Sequence, residues 1–377
     1  MLKNTLSLYI HFPWCIQKCP YCDFNSHSLK SNLPELAYIQ ALIEDLSADL
    51  AEFNLKKPAI HSIFMGGGTP SLFSPNALEI LFDALHNLLD LSKTLEITLE
   101  ANPGTVDSQY FLGYHSLGIN RISLGVQSFN TLQLKKLGRI HSSAEAIQAF
   151  DIARNAGFDN INIDLMFALP KQSIAALQAD IAQVIALAPE HISYYQLTLE
   201  PNTLFAKHPP PLPNDETSWK MQTLIIDTLS QHQYQQYEIS NFNRQRPCQH
   251  NLAYWQYADY LGIGAGAHGK ISHAGQIDRT IKHKHPKTYL QQTNKQQAVK
   301  TVNPADQLFE FMLNTLRLKM PTSFERLWQT THLKFTDIET QLHQACKLGL
   351  LTYDTQQFQP TAKGYLYLNE LQELFLP

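Results

Sequence analysis

The stretch HFPWCIQKCPYCDF, residues 11–24, carries three cysteines in a C-x3-C-x2-C arrangement. Three thiolates at this spacing can bind three irons of a cubane [4Fe–4S] cluster, and the loop offers the fourth iron no ligand. Electron-transfer clusters are closed by four cysteines, so three leave one coordination position open. The amine and carboxylate of S-adenosylmethionine can fill that position, which brings its sulfonium close to an electron source. We therefore predict Cys15, Cys19 and Cys22 as ligands of an open cluster that binds S-adenosylmethionine.

A structural zinc site is the alternative interpretation of these cysteines. Zinc takes four ligands, usually as two closely spaced pairs. The other cysteines, Cys248 and Cys346, are single and distant, although His11 and His27 are near enough in sequence to complete a site. A disulfide framework is less favoured, because five cysteines in 377 residues are sparse and one would stay unpaired.

The composition is that of a globular protein. Hydrophobic residues make up 44% and charged residues 16%, and the net charge of −4 gives no electrostatic reason to expect a nucleic-acid partner. The apolar run at residues 6–12 has the length of a strand and leads straight into the cysteines, so we do not interpret it as a targeting signal. We expect a cytoplasmic protein, where thiols stay reduced. Peripheral contact with the inner membrane is left open.

Strand-like and helix-like segments alternate through the first half of the chain, which predicts βα units and a parallel sheet. The predicted strands are 6–11, 61–65, 95–100, 121–125, 160–165 and 191–197. Segments with the period of a helix lie between them, at 36–53, 75–89, 108–117, 144–156 and 174–186. The sequence therefore predicts an α/β fold built on a partial (β/α)6 barrel.

Three domains are predicted. The barrel occupies residues 1–200, and a proline-rich segment then leads into a barrel extension at 201–300, where the polar stretch 282–300 looks like a connection. Residues 301–377 read as helices, a hairpin and a closing helix, which predicts a small C-terminal winged-helix-like α+β domain. Because its helix at 336–348 lacks a row of arginines, we interpret this domain as a cap or partner surface rather than a DNA-binding unit.

Glycine and polar residues follow the predicted strands at one rim, where such barrels carry their functional residues. The motif MGGGTP, residues 65–70, lacks the ending of a P-loop and the spacing of a dinucleotide site. Its glycines would let a ligand approach the backbone closely. A tight strand-to-helix turn explains the triplet equally well.

Four polar side chains on the same rim are candidate ligand contacts. Glu100 ends the third strand, where a carboxylate could receive an ammonium group or simply be solvated. Gln127, Arg139 and Asp164 add an amide, a cation and an anion, and Asp164 could hold ribose hydroxyls. Taken singly, each of these three is as well explained by structural hydrogen bonds.

The hexapeptide HNLAYW, residues 250–255, is a second constellation. A histidine, an asparagine and two large aromatics could grip a flat macrocycle, with the imidazole of His250 as an axial iron ligand. A partly buried histidine packed among aromatic rings is the commoner situation.

In combination, these motifs resemble the radical S-adenosylmethionine family of oxygen-independent coproporphyrinogen III oxidase-like proteins, over essentially the whole chain. The resemblance implies two groups of S-adenosylmethionine-binding residues, one for each of two molecules in the oxidase. The first group is Tyr9, Gly67 and Glu100. The second group is Tyr21, Gly68, Thr69, Gln127, Arg139 and Asp164. Whether one or two molecules bind here is left open.

Two departures separate this chain from the oxidase and favour the heme-chaperone branch of the family. The oxidase has a further cysteine where this chain has Phe24, and a longer extension before the cluster loop. The His-Asn-x-x-Tyr-Trp motif marks the chaperone branch, where it is implicated in heme binding. That motif is intact as His250, Asn251, Tyr254 and Trp255.

The resemblance therefore implies a heme chaperone that delivers heme to membrane-bound respiratory enzymes and forms a homodimer promoted by its cluster. Whether the protein is also an enzyme is left open. One alternative is an oxygen-independent coproporphyrinogen III dehydrogenase of porphyrin biosynthesis. A zinc-stabilised binding module is the third possibility.

Overall fold

A computed structural model describes residues 6–377, so the first five positions of the predicted barrel segment lie outside the described residues. The main sheet has twelve strands in the described chain. They are β1 Leu6–Phe12, β2 Ile60–Gly67, β3 Glu96–Ala101, β4 Arg121–Gln127, β5 Ile161–Phe167, β6 His191–Gln196, β7 Gln235–Gln236, β8 Asn241–Asn243, β9 Asp259–Ile263, β10 His268–His273, β11 Gln276–Lys282 and β12 Gln296–Thr301. Hydrogen bonds order them β12-β11-β10-β9-β1-β2-β3-β4-β5-β6-β8-β7.

Helices cover the sheet and build the C-terminal region. They are α1 Glu35–Glu52, α2 Pro75–Leu88, α3 Ser108–Ser116, α4 Thr131–Lys136, α5 Ser143–Asn155, α6 Ile174–Leu187, α7 Leu204–Lys207, α8 Asp215–Gln231, α9 Gln249–Trp255, α10 Pro286–Gln291, α11 Pro304–Thr315, α12 Phe324–Thr331, α13 Phe335–Lys347, α14 Ala362–Leu366 and α15 Leu368–Glu373. Within the described range, no helix combines the length and apolar character needed to cross a membrane.

Strands β1 to β6 run parallel as neighbours, which confirms the predicted partial α/β barrel. All six predicted strands are present, with ends displaced by one or two residues. A seventh parallel strand was missed: β9 pairs with the other side of β1, from Leu6 opposite Asp259 to Ile10 opposite Ile263. The sequence disguises it, because the glycines of the segment 261–269 are rare in strands.

The interpretation of residues 282–300 as a connection is wrong. This segment contains the end of β11, the helix α10 and most of β12, which pairs antiparallel with β11 at the edge of the sheet. Its side chains are mostly exposed, so its glutamines and lysines reflect the solvation of an edge strand rather than the absence of structure.

The C-terminal region has its own apolar core and a small antiparallel sheet. The strands are β13 Thr322–Ser323, β14 Leu351–Tyr353 and β15 Gln357–Pro360, in the order β13-β15-β14. Phe311, Leu342 and Phe358 belong to the core that α11 to α13 share with this sheet. Helices flanking a short sheet of this kind match the predicted winged-helix-like arrangement.

A buried ion cluster fixes the added strands to the first helix of the barrel. The Lys282 ammonium on β11 lies 2.7 Å from Asp45 and 2.5 Å from Asp49, both on α1, and all three side chains are buried. Asp45 also accepts hydrogen bonds from the Tyr289 hydroxyl at 2.7 Å and the Gly264 N–H at 3.0 Å. Such a cluster holds only while each charge has its partner, since an unpaired buried charge is costly.

Replacing Lys282 by alanine leaves two buried carboxylates without their cation. We expect Lys282→Ala to lower the free energy of unfolding by about 3–5 kcal/mol, as measured by urea unfolding. Lys220→Ala is the control, because Lys220 pairs with Glu216 on the exposed face of α8 and should cost less than about 1 kcal/mol. Equal losses in the two variants would contradict the role assigned to the cluster.

Candidate functional site: a cysteine-lined cavity and a buried motif helix

A cavity of about 410 Å³ opens at the carboxyl ends of the barrel strands. All three predicted cluster ligands, Cys15, Cys19 and Cys22, line it, and each is partly exposed. Eight of the nine predicted S-adenosylmethionine residues also line it. They are Tyr21, Gly67, Gly68, Thr69, Glu100, Gln127, Arg139 and Asp164. The structure therefore brings the two predicted sets of residues to one site.

Backbone hydrogen bonds fold the cysteine loop back on the end of β1. Trp14–Cys15 pairs with His27–Ser28 as a short parallel ladder. The Leu29 N–H donates to the Cys15 carbonyl at 2.8 Å, and the Cys22 N–H donates to the Cys19 carbonyl at 3.2 Å. These bonds hold the three thiols beside the cavity.

The polar atoms around the thiols suit a thiolate-bound cluster. The Arg139 guanidinium donates to the Cys19 sulfur at 3.4 Å and to the Gly125 carbonyl at 2.6 Å. Burial raises the pKa of the Cys15 and Cys22 thiols, so bare thiolates are disfavoured there until a metal replaces the protons. The donor set of three thiols, one cation and an open cavity fits a [4Fe–4S] cluster with a free iron.

His11 and His27, the histidines considered as zinc ligands, make other contacts. His11 accepts a hydrogen bond from the Tyr9 hydroxyl at Nδ1, 2.8 Å, and Nε2 donates to the Asn25 carbonyl at 2.9 Å. The His27 ring packs edge-on against His285, with ring centroids 5.2 Å apart. Among residues 6–377, no three His, Cys, Asp or Glu side chains converge on a single metal ion, whereas a cubane cluster would take its three cysteines on three separate irons.

The glycine motif makes a turn so tight that side chains are excluded. Gly67 has a φ of 107°, and a Cβ there would collide with the His11 ring. A Cβ at Gly68 would collide with the Trp14 carbonyl, which accepts the Thr69 N–H at 2.8 Å. The turn interpretation therefore holds, and the same turn brings the backbone of these glycines to the cavity wall.

Glu100 is not simply solvated. Its carboxylate accepts the Gly67 N–H at 3.0 Å, and burial, followed by repulsion from Asp164, raises its pKa to about 8. Asp164 itself accepts hydrogen bonds from Ser123 at 3.0 Å and Asn162 at 2.8 Å. The two acids are therefore held in fixed positions, and a cation that enters the cavity would favour loss of the Glu100 proton to solvent.

Gln127 carries backbone strain. Its φ is 70°, in the left-handed region, and the pairing of β4 with β5 shifts register between Gly125 and Gln127. A bulge of this kind re-aims a side chain at the end of a strand, and strain in a non-glycine residue is concentrated at functional sites. The amide is thereby directed to the cavity wall.

The residues that line the cavity differ from the predicted set at a few positions. Tyr9 does not line the cavity, since its hydroxyl lies against His11. Ser123, Met166 and Tyr195 line it although sequence reasoning missed them. Ser123 and Tyr195 lie two residues before the lining residues Gly125 and Leu197, so strand alternation could have identified them.

The predicted heme motif forms α9, which lies at the other end of the barrel strands. Glu96, the first residue of β3, accepts the Gln249 N–H at 3.1 Å and the His250 N–H at 3.2 Å, and the Cys248 thiol donates to it at 3.1 Å. Glu96 and Glu100 are four residues apart on β3, so the end of the strand that holds the start of α9 lies about 13 Å from the end that reaches the cavity.

Within the motif, His250 is buried, and Asn251, Tyr254 and Trp255 are partly exposed. His250 is 2% exposed, and burial lowers its pKa to about 3. Its ring lies 5.2 Å from that of Phe64 and 4.6 Å from that of Tyr254. The Arg317 guanidinium sits 4.3 Å over the Trp255 ring. The packed-histidine interpretation therefore describes this conformation.

Comparison with known proteins places the chain in a family. Residues 9–184 match the Radical SAM superfamily, and residues 302–367 match the HemN C-terminal domain. The chain is 46% identical over 375 residues to the heme chaperone HemW of Haemophilus influenzae, covering 98% of both chains. It is also 46% identical over 373 residues to the heme chaperone HemW of Escherichia coli, again covering 98% of both. The chain belongs to the HemW family.

A solved structure resembles this HemW-family protein over nearly its whole length. The radical SAM enzyme coproporphyrinogen III oxidase (HemN) of Escherichia coli superposes with a TM-score of 0.84, covering 99% of this chain and 90% of that chain. The sequence identity is 23%, so this likeness shows the fold alone. It confirms the predicted radical SAM barrel with its C-terminal domain.

The raised pKa of Glu100 predicts a specific pH dependence of stability. Between its ordinary value of 4.5 and about 8, the folded state holds a proton that the unfolded state has lost. The contribution of Glu100 to stability therefore falls as pH rises through this window. We expect Glu100→Gln to lack that fall in urea unfolding of the cluster-free protein. Glu216→Gln, at an exposed position, is the control, and parallel pH profiles of wild type and Glu100→Gln would contradict the assignment.

Proposed function

We propose that this HemW-family protein is a heme chaperone that carries a [4Fe–4S] cluster on Cys15, Cys19 and Cys22 and binds S-adenosylmethionine beside it. One observation carries the proposal: three thiols and eight predicted S-adenosylmethionine residues line one cavity. They do so in a chain whose full length matches proteins named heme chaperone HemW.

Different cavity residues contact different groups of S-adenosylmethionine and of the cluster. Glu100, once deprotonated, accepts a hydrogen bond from the amine of the methionine end, and Asp164 offers its oxygens to ribose hydroxyls. Arg139 offsets the negative charge of the thiolates from its position beside Cys19. Bound together there, cluster and S-adenosylmethionine supply reductive chemistry at the sulfonium. The residues hold, orient and partly desolvate the ligand, and Gln127 completes the wall.

Heme is the cargo, and we assign its axial ligand to Nε2 of His250. The support is the intact His-Asn-x-x-Tyr-Trp motif and an imidazole that burial keeps neutral, which is the form that ligates iron. Asn251, Tyr254 and Trp255 complete the proposed contacts. Membrane-bound respiratory enzymes as acceptors, a homodimer, and a cytoplasmic or peripheral location belong to the same proposal.

Coproporphyrinogen III dehydrogenation is the second candidate, favoured by the complete cysteine and S-adenosylmethionine cavity. The position of Phe24 counts against it, because this side chain is 59% exposed on the cavity wall where the oxidase has a cysteine. Anaerobic incubation with coproporphyrinogen III, reductant and S-adenosylmethionine distinguishes the two. Sustained formation of protoporphyrinogen IX would overturn the chaperone proposal.

Removing one cluster thiol tests the metal centre. We expect Cys22→Ser to lose most of the iron and sulfide that the wild type takes up in anaerobic reconstitution, because three ligands are already the minimum. Cys346→Ser, on α13, should load normally. Addition of S-adenosylmethionine should change the electron paramagnetic resonance signal of the reduced wild-type cluster. Zinc near one equivalent with no iron would instead support the zinc-stabilised module.

Heme titration tests the assigned ligand. We expect His250→Ala to shift the Soret band and weaken heme binding by roughly 10- to 100-fold, the usual cost of disturbing a metal site. His208→Ala is the matched control, since His208 is an exposed histidine at the end of α7. A spectrum and affinity unchanged in the His250 variant would remove His250 as the ligand.

A further inference from the structure

We propose that α9 is a latched plug, which keeps His250 hidden in the amino-terminal end of the barrel and must withdraw before heme can bind. This inference rests on the proposed function and adds to it a conformational step. The observation behind it is a conflict between role and position: the assigned iron ligand is a buried side chain, only 2% exposed.

The nitrogen assigned to iron is closed off. Nε2 of His250 is buried and makes no hydrogen bond to any described residue. The rings of Phe64 and Tyr254 flank the imidazole. A porphyrin needs an open face at that nitrogen, so heme cannot ligate His250 in this conformation. A buried nitrogen without a partner is also unfavourable, so the closed state is held by other contacts.

The first latch is Glu96, at the amino-terminal end of α9. Its carboxylate accepts hydrogen bonds from two backbone N–H groups and from the Cys248 thiol, all within 3.2 Å. Helix α9 has only seven residues. A helix this short has almost no stability of its own in water, so its external contacts decide whether it stays in place.

The second latch is Ser62 on β2. Its hydroxyl donates to the Ser7 hydroxyl at 2.9 Å, so at 3.0 Å it accepts the Nδ1–H of His250. That bond leaves Nε2 without a proton, which is the tautomer that binds iron. The closed state thus stores the ligand in the form that it needs after release.

The opposite end of α9 borders a cleft that Gln256, the residue after the helix, helps to line. A cavity of about 290 Å³ separates the C-terminal region from the end of α9, and its wall includes Gln256, Leu318, Met320 and Pro321. The Gln256 carbonyl accepts from Arg326 at 2.7 Å, and Arg317 joins the C-terminal region to Glu238 at 3.2 Å. An apolar macrocycle approaching along this cleft would meet the motif from its carboxyl-terminal side.

A latch makes heme binding depend on the open fraction of the protein. The apparent affinity equals the intrinsic affinity scaled by that fraction. Ser62→Ala removes one hydrogen bond from the closed state and leaves every cavity residue untouched. We expect it to raise the heme association rate and apparent affinity by roughly 2- to 10-fold, the worth of one net hydrogen bond. If Ser62 only positioned His250 for heme, Ser62→Ala would instead lower the association rate and the apparent affinity.

The experiment uses anaerobically reconstituted full-length protein and two readouts. Stopped-flow mixing with hemin gives association rates for wild type, Ser62→Ala, Glu96→Gln and His250→Ala. Iodoacetamide labelling followed by mass spectrometry gives the reaction rate of Cys248, which is 1% exposed and adjoins α9. In Ser62→Ala both rates should rise by a similar factor. Asp107→Asn is the control, since Asp107 caps α3 through the N–H groups of Gln109 and Tyr110.

The outcomes separate the plug from the chaperone function. Weaker heme binding in Ser62→Ala, or unchanged heme and labelling rates, would overturn the plug. If Glu96→Gln fails to fold, Ser62→Ala still decides. A wild type that binds no heme, or a His250→Ala variant that binds it normally, would defeat the proposed function instead. The labelling arm needs no heme, so it still tests whether Ser62 holds α9 closed.

Discussion

The structure depends on one buried amide in the middle of the barrel. Asn162 donates to Asp164 at 2.8 Å and to Ser123 at 2.8 Å, and its oxygen accepts from His191 at 2.6 Å and Ser193 at 3.1 Å. Both donors and both acceptor positions of the amide are thereby used. An interior filled with polar groups is stable only if each has a partner, so this saturated centre fixes the strands on either side of it.

The hydrogen bonds of Asn162 also fix which group donates and which accepts in the residues beyond it. Because the Nδ1–H of His191 donates to Asn162, its Nε2 accepts the Tyr237 hydroxyl at 2.9 Å. Burial keeps the pKa of His191 far below its ordinary value, so this order of donors and acceptors does not reverse at neutral pH. A continuous chain of hydrogen bonds therefore connects Tyr237 to Asp164 on the cavity wall.

The sequence predicted local features well and distant contacts poorly. The cysteine loop, the glycine turn and six strands follow from spacing and periodicity, which are local properties. The position of α9 does not follow from local properties, because it is set by Glu96, a residue about 150 positions before it in the chain. Tyr9 shows the same limit: its position in a strand was predicted, but only the fold reveals that His11 takes its hydroxyl. The hydrogen bonds around Asn162 likewise join residues that are distant in the sequence, so the sequence did not predict them.

The charges of the cavity explain why cluster and S-adenosylmethionine suit each other there. Among the described lining residues, Arg139 is the single lysine or arginine, and it faces three thiols as well as Glu100 and Asp164. Loading a cluster replaces thiol protons by a cluster whose ligands are thiolates, which makes the cavity more negative. Burial and repulsion from Asp164 already raise the pKa of Glu100 to about 8, so this acid keeps its proton near neutral pH. A ligand with a sulfonium group brings positive charge into the cavity and favours ionisation of Glu100. The charges of the cavity therefore favour a ligand with a cationic centre, such as S-adenosylmethionine, over neutral competitors.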